Sequence, residues 1–188
     1  DLLRFQEVQA DASFRNGKTV VTMVAGFRYQ KDQDTLIKAF QYLPTEQYEL
    51  WLVGDGERRS TLEDLVSRLG ILENVRFWGI RSDIPVLLKS SDIIVMSSHF
   101  EGLSLSSIEG MAVDRPFIAS DVDGLHEITK NAGILFPHGD AKALANIILR
   151  LKEEPYYRQI ADRCQQRASK YDIRKTVTAY LEIYKQLV

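Results

Sequence analysis

The chain alternates short β-branched apolar runs with segments whose apolar residues recur at helical spacing. Residues 18–25 (KTVVTMVA) and 48–53 (YELWLV) are continuous apolar runs, typical of strands buried on both faces of a sheet. In residues 57–69 the apolar positions return every three or four residues, and Gly70 follows as a stop signal. The chain therefore begins as strand, helix, strand and helix in turn.

Continued to the end, this pattern predicts six strands and seven helices. The predicted strands are residues 18–25, 48–53, 74–77, 92–96, 116–119 and 133–136. The predicted helices are residues 35–42, 57–69, 83–89, 105–113, 141–152, 156–171 and 173–188. Strand–helix alternation favours right-handed crossovers and a parallel sheet covered on both faces. We predict an α/β, doubly wound, Rossmann-like domain of about six parallel strands, closed by C-terminal helices.

The predicted domain occupies residues 18–188, and residues 1–17 form a lead-in or linker segment. Because the first residue is Asp1 rather than Met, we expect the chain to be a piece of a longer protein.

The 188 residues include 45% hydrophobic and 27% charged residues, which is ordinary for a soluble domain. A net charge of −2 argues against nucleic-acid binding. The single cysteine, Cys164, is expected to be an unreactive structural thiol, and a cytoplasmic location is expected.

Polar and glycine-rich turns follow the first five predicted strands. Ligands of such sheets bind beyond the carboxyl ends of the strands. The turns carry Gly26, Arg28 and Lys31; Gly54 and Gly56; Gly79 and Ile80; Glu101 and Gly102; and Asp121 and Asp123. Five turns with cations, carboxylates and glycines should therefore meet at one edge of the sheet, and we expect an active site there.

The fourth of these turns is the most informative. Glu101 and Glu109 are separated by seven residues around a turn that Gly102 begins. A turn that opens a helix offers free N–H groups to a phosphate, and ionised carboxylates accept hydrogen bonds from sugar hydroxyls. For each carboxylate an alternative to ligand binding stays open. Glu101 could be a solvated loop carboxylate, and Glu109 could close a capping box with Ser106.

The remaining candidates are cations and histidines. Lys31 and Arg28 could clamp a diphosphate, or they could belong to a solvated loop. No dinucleotide fingerprint and no P-loop is present. His99, His126 and His138 do not have metal-ligand spacing, so we expect no metal site.

Nearly all of residues 18–188 resembles one family. The matching stretches are VAGFRYQKDQDTLIKAF, WLVGDGERRSTLEDLVSRLGILENVRFWG and the Glu–seven residues–Glu segment within residues 82–129. They resemble, in the same order, the C-terminal, nucleotide-sugar-binding half of family-4-type retaining glycosyltransferases, which have the GT-B architecture. The resemblance implies a nucleotide-diphosphate sugar as donor substrate, retention of its anomeric configuration, and neither metal nor cofactor.

The resemblance also implies roles for individual residues. Glu101 and Lys31 would be catalytic, Glu101 at donor-sugar hydroxyls and Lys31 at the leaving phosphate. The nucleotide-sugar-binding set would comprise Glu109 at the ribose, Gly102, Leu103 and Ser104 at the diphosphate, Ile80 at the base, and Gly26 and Arg28 in the phosphate-clamp loop. Gly26 departs from the family, which commonly has arginine there, and whether Arg28 replaces it stays open.

The implied function is the donor-binding half of a glycosyltransferase, with polysaccharide or glycolipid biosynthesis as a setting. The acceptor, a sugar or glycolipid, would bind the N-terminal domain that this chain lacks, and peripheral membrane association of the full-length protein stays open. Two other functions also stay open. One is a non-catalytic nucleotide-sugar-sensing module, because of Gly26, and the other is a sugar-nucleotide epimerase of the same architecture.

Overall fold

The computed structural model of the chain describes residues 2–186, apart from the side chains of Thr176 and Gln186. Its six strands form one sheet in the order β3-β2-β1-β4-β5-β6, and every neighbouring pair is parallel. The strands are β1 Thr19–Val24, β2 Tyr48–Val53, β3 Val75–Gly79, β4 Ile93–Met96, β5 Phe117–Ser120 and β6 Ile134–Phe136. The predicted fold class is confirmed.

The described helices include all seven predicted ones, with ends shifted by a few residues. The helices are α1 Leu3–Gln6, α2 Gln33–Ala39, α3 Arg59–Arg68, α4 Ile84–Ser90, α5 Leu105–Ala112, α6 Leu125–Thr129, α7 Ala141–Arg150, α8 Glu154–Ala168 and α9 Ile173–Gln186. The helices α1 and α6 were not predicted, because they are too short to show a helical period. The end of the predicted helix 173–188, residues 187–188, lies outside the described residues. No described helix is long and apolar enough to cross a bilayer.

Both faces of the sheet are buried, which explains the continuous apolar runs. Val21 of β1 belongs to the main core together with Leu36 of α2. Val20, the preceding residue, belongs to a second cluster with Trp51 and with Leu87 of α4. Because successive side chains of a strand point to opposite faces, β1 needs apolar residues at both.

The lead-in segment packs against the domain. Phe5 is 1% exposed and belongs to the main core. The ring of Phe14 lies 5.2 Å from the ring of Trp78, centroid to centroid. Arg15 donates two hydrogen bonds to the carboxylate of Asp92, at 3.0 and 2.8 Å. Packing and a bidentate ion pair therefore hold this segment in place.

Cys164 is fully buried in α8. Burial raises the pKa of its thiol to about 12. Because the thiolate is the reactive form, this supports the interpretation of Cys164 as a structural thiol.

Phe5→Ala tests whether the lead-in contributes to the stability of the domain. It should lower the free energy of unfolding by about 3–5 kcal/mol, because it leaves a cavity in the core. Phe100→Ala is the matched control, since the Phe100 side chain is 58% exposed, and it should change stability by no more than about 0.5 kcal/mol. Urea denaturation measures both. Equal, small effects would show that the packing of Phe5 does not stabilise the fold.

Candidate functional site

The turns after β1 and β2 are in direct contact with each other and with the end of β3. The N–H of Phe27 donates to the carbonyl of Asp55 at 2.9 Å, and the N–H of Gly54 donates to the carbonyl of Gly79 at 2.8 Å. Gly54 has a φ of +134°, and a Cβ there would lie 2.1 Å from the carbonyl oxygen of Ala25. Only glycine fits at this position, because any side chain would force the turns apart.

The turns after β4 and β5 join the same edge. The N–H of His99 donates to the carbonyl of Gln30 at 2.8 Å, which links the turn after β4 to the turn after β1. Gly124 has a φ of +79°, and a Cβ there would lie 2.2 Å from the carbonyl oxygen of Glu101. The predicted meeting of five turns at one edge is therefore confirmed.

Lys31 and Glu101 form an ion pair at this edge. Lys31 Nζ donates to Glu101 Oε1 at 2.5 Å, and Ser98 Oγ donates to the same oxygen at 2.7 Å. The Glu101 side chain is 7% exposed and that of Lys31 is 21% exposed. Glu101 is thus not a solvated loop carboxylate. Within the described part of the chain no hydrogen bond to its second oxygen, Oε2, is found, so Oε2 remains able to accept one from a ligand.

The backbone around Lys31 explains how the pair is held. Lys31 ends a short 3-10 turn, and Asp32 follows in the left-handed region with a φ of +46°. The carboxylate of Asp32 caps α2, accepting from the N–H of Thr35 at 3.3 Å and from its hydroxyl at 2.6 Å. Since β1 and β4 are neighbours in the sheet, this turn faces the turn that carries Glu101.

The turn led by Gly102 ends in the cap of α5. Ser104 is the N-cap residue, and its Oγ accepts from the N–H of Ser107 at 3.3 Å. The capping box of Ser106 and Glu109 is therefore wrong, because α5 begins before Ser106 and Glu109 lies beyond its first turn. The N–H groups of that first turn lack intrahelical acceptors and make the Gly102 turn electropositive.

Glu109 pairs with a residue that the sequence analysis did not single out. Arg4 donates to Glu109 Oε1 at 3.3 Å, with side chains 65% and 28% exposed respectively. The two residues share a groove of about 460 Å³ with Leu105, Tyr171 and Ile173. Because the two residues are 105 positions apart in the chain, no local pattern could have revealed the pair.

A second cleft, of about 310 Å³, lies at the ends of β1, β2 and β3. Gly26, Ile80 and Ser106 are among the residues that line it. The Ile80 side chain is 83% exposed and presents an apolar surface at its mouth. Arg28 Nε lies 4.0 Å from where a Cβ on Gly26 would be, so Arg28 reaches toward the space that a side chain at position 26 would use.

A third cleft, of about 440 Å³, lies between the Gly102 turn and α6. Glu101, Gly102 and Leu103 line it, and the Leu103 side chain is 66% exposed. Six of the predicted site residues thus divide between three clefts: Glu101, Gly102 and Leu103 line this one, Gly26 and Ile80 the second, and Glu109 the groove that it shares with Arg4. Arg28 is exposed, and its side chain makes no hydrogen bond or ion pair with the residues that the structure describes.

Choosing the site by the volume of its cleft would have led to a different part of the surface. A groove of about 580 Å³, larger than the three described above, lies between α1 and α9 and is lined by Gln6, Asp172 and Glu182 among others. None of the predicted site residues lines it. Hydrogen bonds from Arg174 hold the pKa of Asp172 far below its usual range, and Asp172 also accepts from the N–H of Leu2. This carboxylate therefore joins the N-terminal segment, at Leu2, to the start of α9, at Arg174.

The three histidines occupy two different places. His126 Nδ1 lies 2.6 Å from Asp121 Oδ1 in the turn after β5. His99 and His138 instead lie beside Asp32, and one ligand atom from each of these three residues falls within 4.8 Å of the others. Among the residues that the structure describes, this is the group that could hold a metal ion. Chain spacing could not show it, because the three residues follow different strands.

Comparison with known proteins finds a family model that matches most of the chain. Residues 5–171 match the family model described as "Glycosyl transferases group 1". Among the similar proteins is EpsD of Bacillus subtilis, named as a glycosyltransferase, which is 32% identical over 184 residues. That alignment covers 95% of this chain and 48% of EpsD. The chain spans about half the length of such relatives.

Solved structures agree with this match. Anabaena HepE in complex with UDP superposes with a TM-score of 0.86 at 27% identity, covering all of this chain and 55% of HepE. HepE in complex with UDP-glucose gives a TM-score of 0.80 at 30% identity, covering 90% of this chain and 48% of HepE.

The burial of the Lys31–Glu101 pair predicts a measurable coupling energy. Lys31→Met should destabilise the domain by about 1–3 kcal/mol, less than a fully buried pair costs, because it leaves the Glu101 carboxylate unpaired. The double variant Lys31→Met/Glu101→Gln should recover part of this loss. The exposed pair of Arg59 and Glu63 is the control, and its coupling should stay at about 0.5 kcal/mol or less. Equal coupling energies in the two double-mutant cycles would contradict the prediction.

Proposed function

The chain belongs to the group 1 glycosyltransferases, as its resemblance predicted, and we propose that it is the donor-binding domain of a retaining enzyme. That enzyme transfers a sugar from a nucleotide-diphosphate sugar to an acceptor. The observation that carries the proposal is the buried pair of Lys31 and Glu101 at the edge where the turns meet. HepE, at 27–30% identity, binds UDP and UDP-glucose, so a uridine diphosphate sugar is the first donor to test.

The pair combines the two charges that this transfer needs. When the bond between sugar and diphosphate breaks, negative charge grows on the departing phosphate, and the ammonium group of Lys31 stabilises it. Glu101 uses Oε2 to accept hydrogen bonds from the sugar hydroxyls. Because the protein already holds both groups in place, little reorganisation is needed as the charge develops.

The diphosphate binds in the turn of Gly102, Leu103 and Ser104. A Cβ on Gly102 would meet nothing within 4 Å, so this turn is open to a ligand. The first-turn N–H groups of α5 provide a partial positive charge there. The guanidinium of Arg28, which is exposed and has no partner among the described residues, supplies a further cation. In this proposal fixed protein charges, with no metal ion or cofactor, stabilise the leaving group.

The nucleoside occupies the side of the turn where Ser106 lies. Ser106 and Glu109 are three residues apart on α5 and so share one face of the helix. Glu109 accepts hydrogen bonds from the ribose hydroxyls, either with its second oxygen or after releasing Arg4. The cleft lined by Gly26 and Ile80 receives the base, with Ile80 as an apolar surface.

The acceptor binds a domain that this chain does not contain. Apolar side chains of α9 are about half exposed or more, as expected of a surface that another domain covers. They are Ile173, Val177, Tyr180, Leu181, Ile183 and Tyr184. A cytoplasmic location, a sugar or glycolipid acceptor, and peripheral association of the full-length protein with a membrane belong to the same proposal.

Gly26 supports one second candidate, a module that binds a nucleotide sugar without transferring it. A glycine at position 26 removes a cation from the phosphate clamp, which would weaken catalysis more than binding. The epimerase alternative is disfavoured, since the family match is to glycosyltransferases.

Titration calorimetry with UDP and with pyrophosphate tests the assigned roles. Lys31→Ala should weaken both ligands by about 1.5–3 kcal/mol, the value of a charged hydrogen bond, which is roughly tenfold to over a hundredfold in Kd. Lys38→Ala is the matched control, because Lys38 is exposed on α2, and it should leave both affinities unchanged. Glu109→Ala should weaken UDP more than pyrophosphate. Equal losses for the two ligands would rule out a ribose contact.

Transfer assays with radiolabelled donors separate the enzyme from the sensing module. This chain alone should bind the donor but transfer no sugar, because nothing holds the acceptor hydroxyl about 3–3.5 Å from the anomeric carbon. In the full-length protein, Glu101→Ala should reduce turnover more than nucleotide affinity. Efficient transfer by this chain alone would refute the half-site proposal. Binding without transfer by the full-length protein would favour the sensing module.

A further inference from the structure

Asp32, His99 and His138 form a cluster next to the proposed donor site, and no step of the proposed reaction uses it. The three residues follow β1, β4 and β6 respectively. His99 Nδ1 lies 3.7 Å from Asp32 Oδ2 and 2.6 Å from His138 Nε2. We propose that these three side chains bind a divalent transition-metal ion, such as Zn²⁺, that holds the turns together and takes no part in sugar transfer.

The distances suit such an ion after one small movement. Imidazole nitrogens and carboxylate oxygens bind Zn²⁺ at about 2.0–2.2 Å, which puts two ligand atoms of a tetrahedral site roughly 3.3–3.5 Å apart. The separation of 3.7 Å between His99 and Asp32 is close to this value. The two histidine nitrogens, now at hydrogen-bond distance, must separate by less than about 1 Å. His138 can move in this way because it is exposed and lies in the loop between β6 and α7.

The other two ligands are already oriented. Asp32 is 4% exposed, and each carboxylate oxygen accepts one hydrogen bond from Thr35, which leaves a lone pair for a metal. The His99 ring packs on Tyr29 at 4.6 Å between centroids, and its backbone N–H is bonded to Gln30. Contacts of this kind fix the orientation of metal ligands.

The donor set determines which ion fits. Two imidazoles and one carboxylate suit Zn²⁺, Co²⁺ or Ni²⁺, whereas Mg²⁺ prefers an octahedral shell of oxygens. Three protein ligands leave a fourth position to water. Mg²⁺ is therefore the appropriate negative-control ion.

The position of the cluster explains what the ion would do. Lys31 precedes Asp32 directly, and Glu101 lies two residues after His99. An ion bound to both ligands would tie together the turns that carry the Lys31–Glu101 pair. His138 would connect the turn after β6 to them. The ion would thus stabilise the site without touching the donor.

Thermal unfolding of EDTA-treated protein in Zn²⁺ or Mg²⁺ is the first test. Zn²⁺ at about a hundredfold excess over its Kd should raise the Tm of the wild type by roughly 5–10 °C, and Mg²⁺ should not. His138→Gln and His99→Gln should bind Zn²⁺ at least about tenfold to a hundredfold more weakly. His126→Gln is the matched control, because His126 pairs with Asp121 away from the cluster, and it should respond like the wild type.

Co²⁺ absorption spectra provide a second measurement that does not depend on stability. The wild type and His126→Gln should bind one equivalent of Co²⁺ with visible bands typical of a low-coordinate site, and His138→Gln should lose them while its circular dichroism stays native. The proposal is overturned if Zn²⁺ does not change the wild-type Tm, or if His138→Gln and His126→Gln behave alike. Either result would mean that the two histidines are hydrogen-bonded to each other and bind no metal ion.

Discussion

The hydrogen-bonded pairing of β1 with β4 is the constraint on which the rest of the site depends. The chain builds β1, β2 and β3 outward on one side, then returns to place β4 on the free edge of β1. At this reversal the turns after β1 and β4 face each other with no strand between them. Lys31 and Glu101 meet there, although 70 positions separate them along the chain. A different strand order would leave a buried carboxylate without its cation.

The close approach of the turns depends in turn on glycine. At Gly54 and Gly124 the backbone has a positive φ, and a Cβ would lie 2.1–2.2 Å from a neighbouring carbonyl oxygen. These two positions bring the first three turns together and the fourth and fifth turns together. These two glycines allow backbones to contact each other. Gly102 differs, because a Cβ there would meet open space, and the contact proposed for it is with a ligand.

The lead-in segment connects stability to the proposed nucleotide site. Phe5 anchors it in the core, and Arg4, the preceding residue, reaches Glu109 at 3.3 Å. The side chain proposed to hold the ribose is therefore already paired in this structure. The cluster of Asp32, His99 and His138 lies next to the Lys31–Glu101 pair, since Asp32 follows Lys31 and His99 comes two residues before Glu101.

The sequence by itself determined the fold class, the six strands and the edge at which the turns meet. These follow from local patterns, because a strand buried on both faces and an amphipathic helix each require their own spacing of apolar residues. It also singled out Lys31, Glu101 and Glu109, through their positions after strands and their resemblance to one family. The helices α1 and α6 could not be predicted in this way, since four or five residues are too few to show a helical period.

Only the tertiary structure decided which side chains are partners. The capping-box interpretation of Glu109 was wrong because the choice between Ser104 and Ser106 as N-cap depends on where the turn before α5 ends. Neither the pairing of Arg4 with Glu109 nor the cluster of Asp32, His99 and His138 was visible in spacing along the chain. Each depends on residues that follow different strands or lie far apart in sequence, and the order of strands in the sheet, which local periodicity does not encode, brings them together.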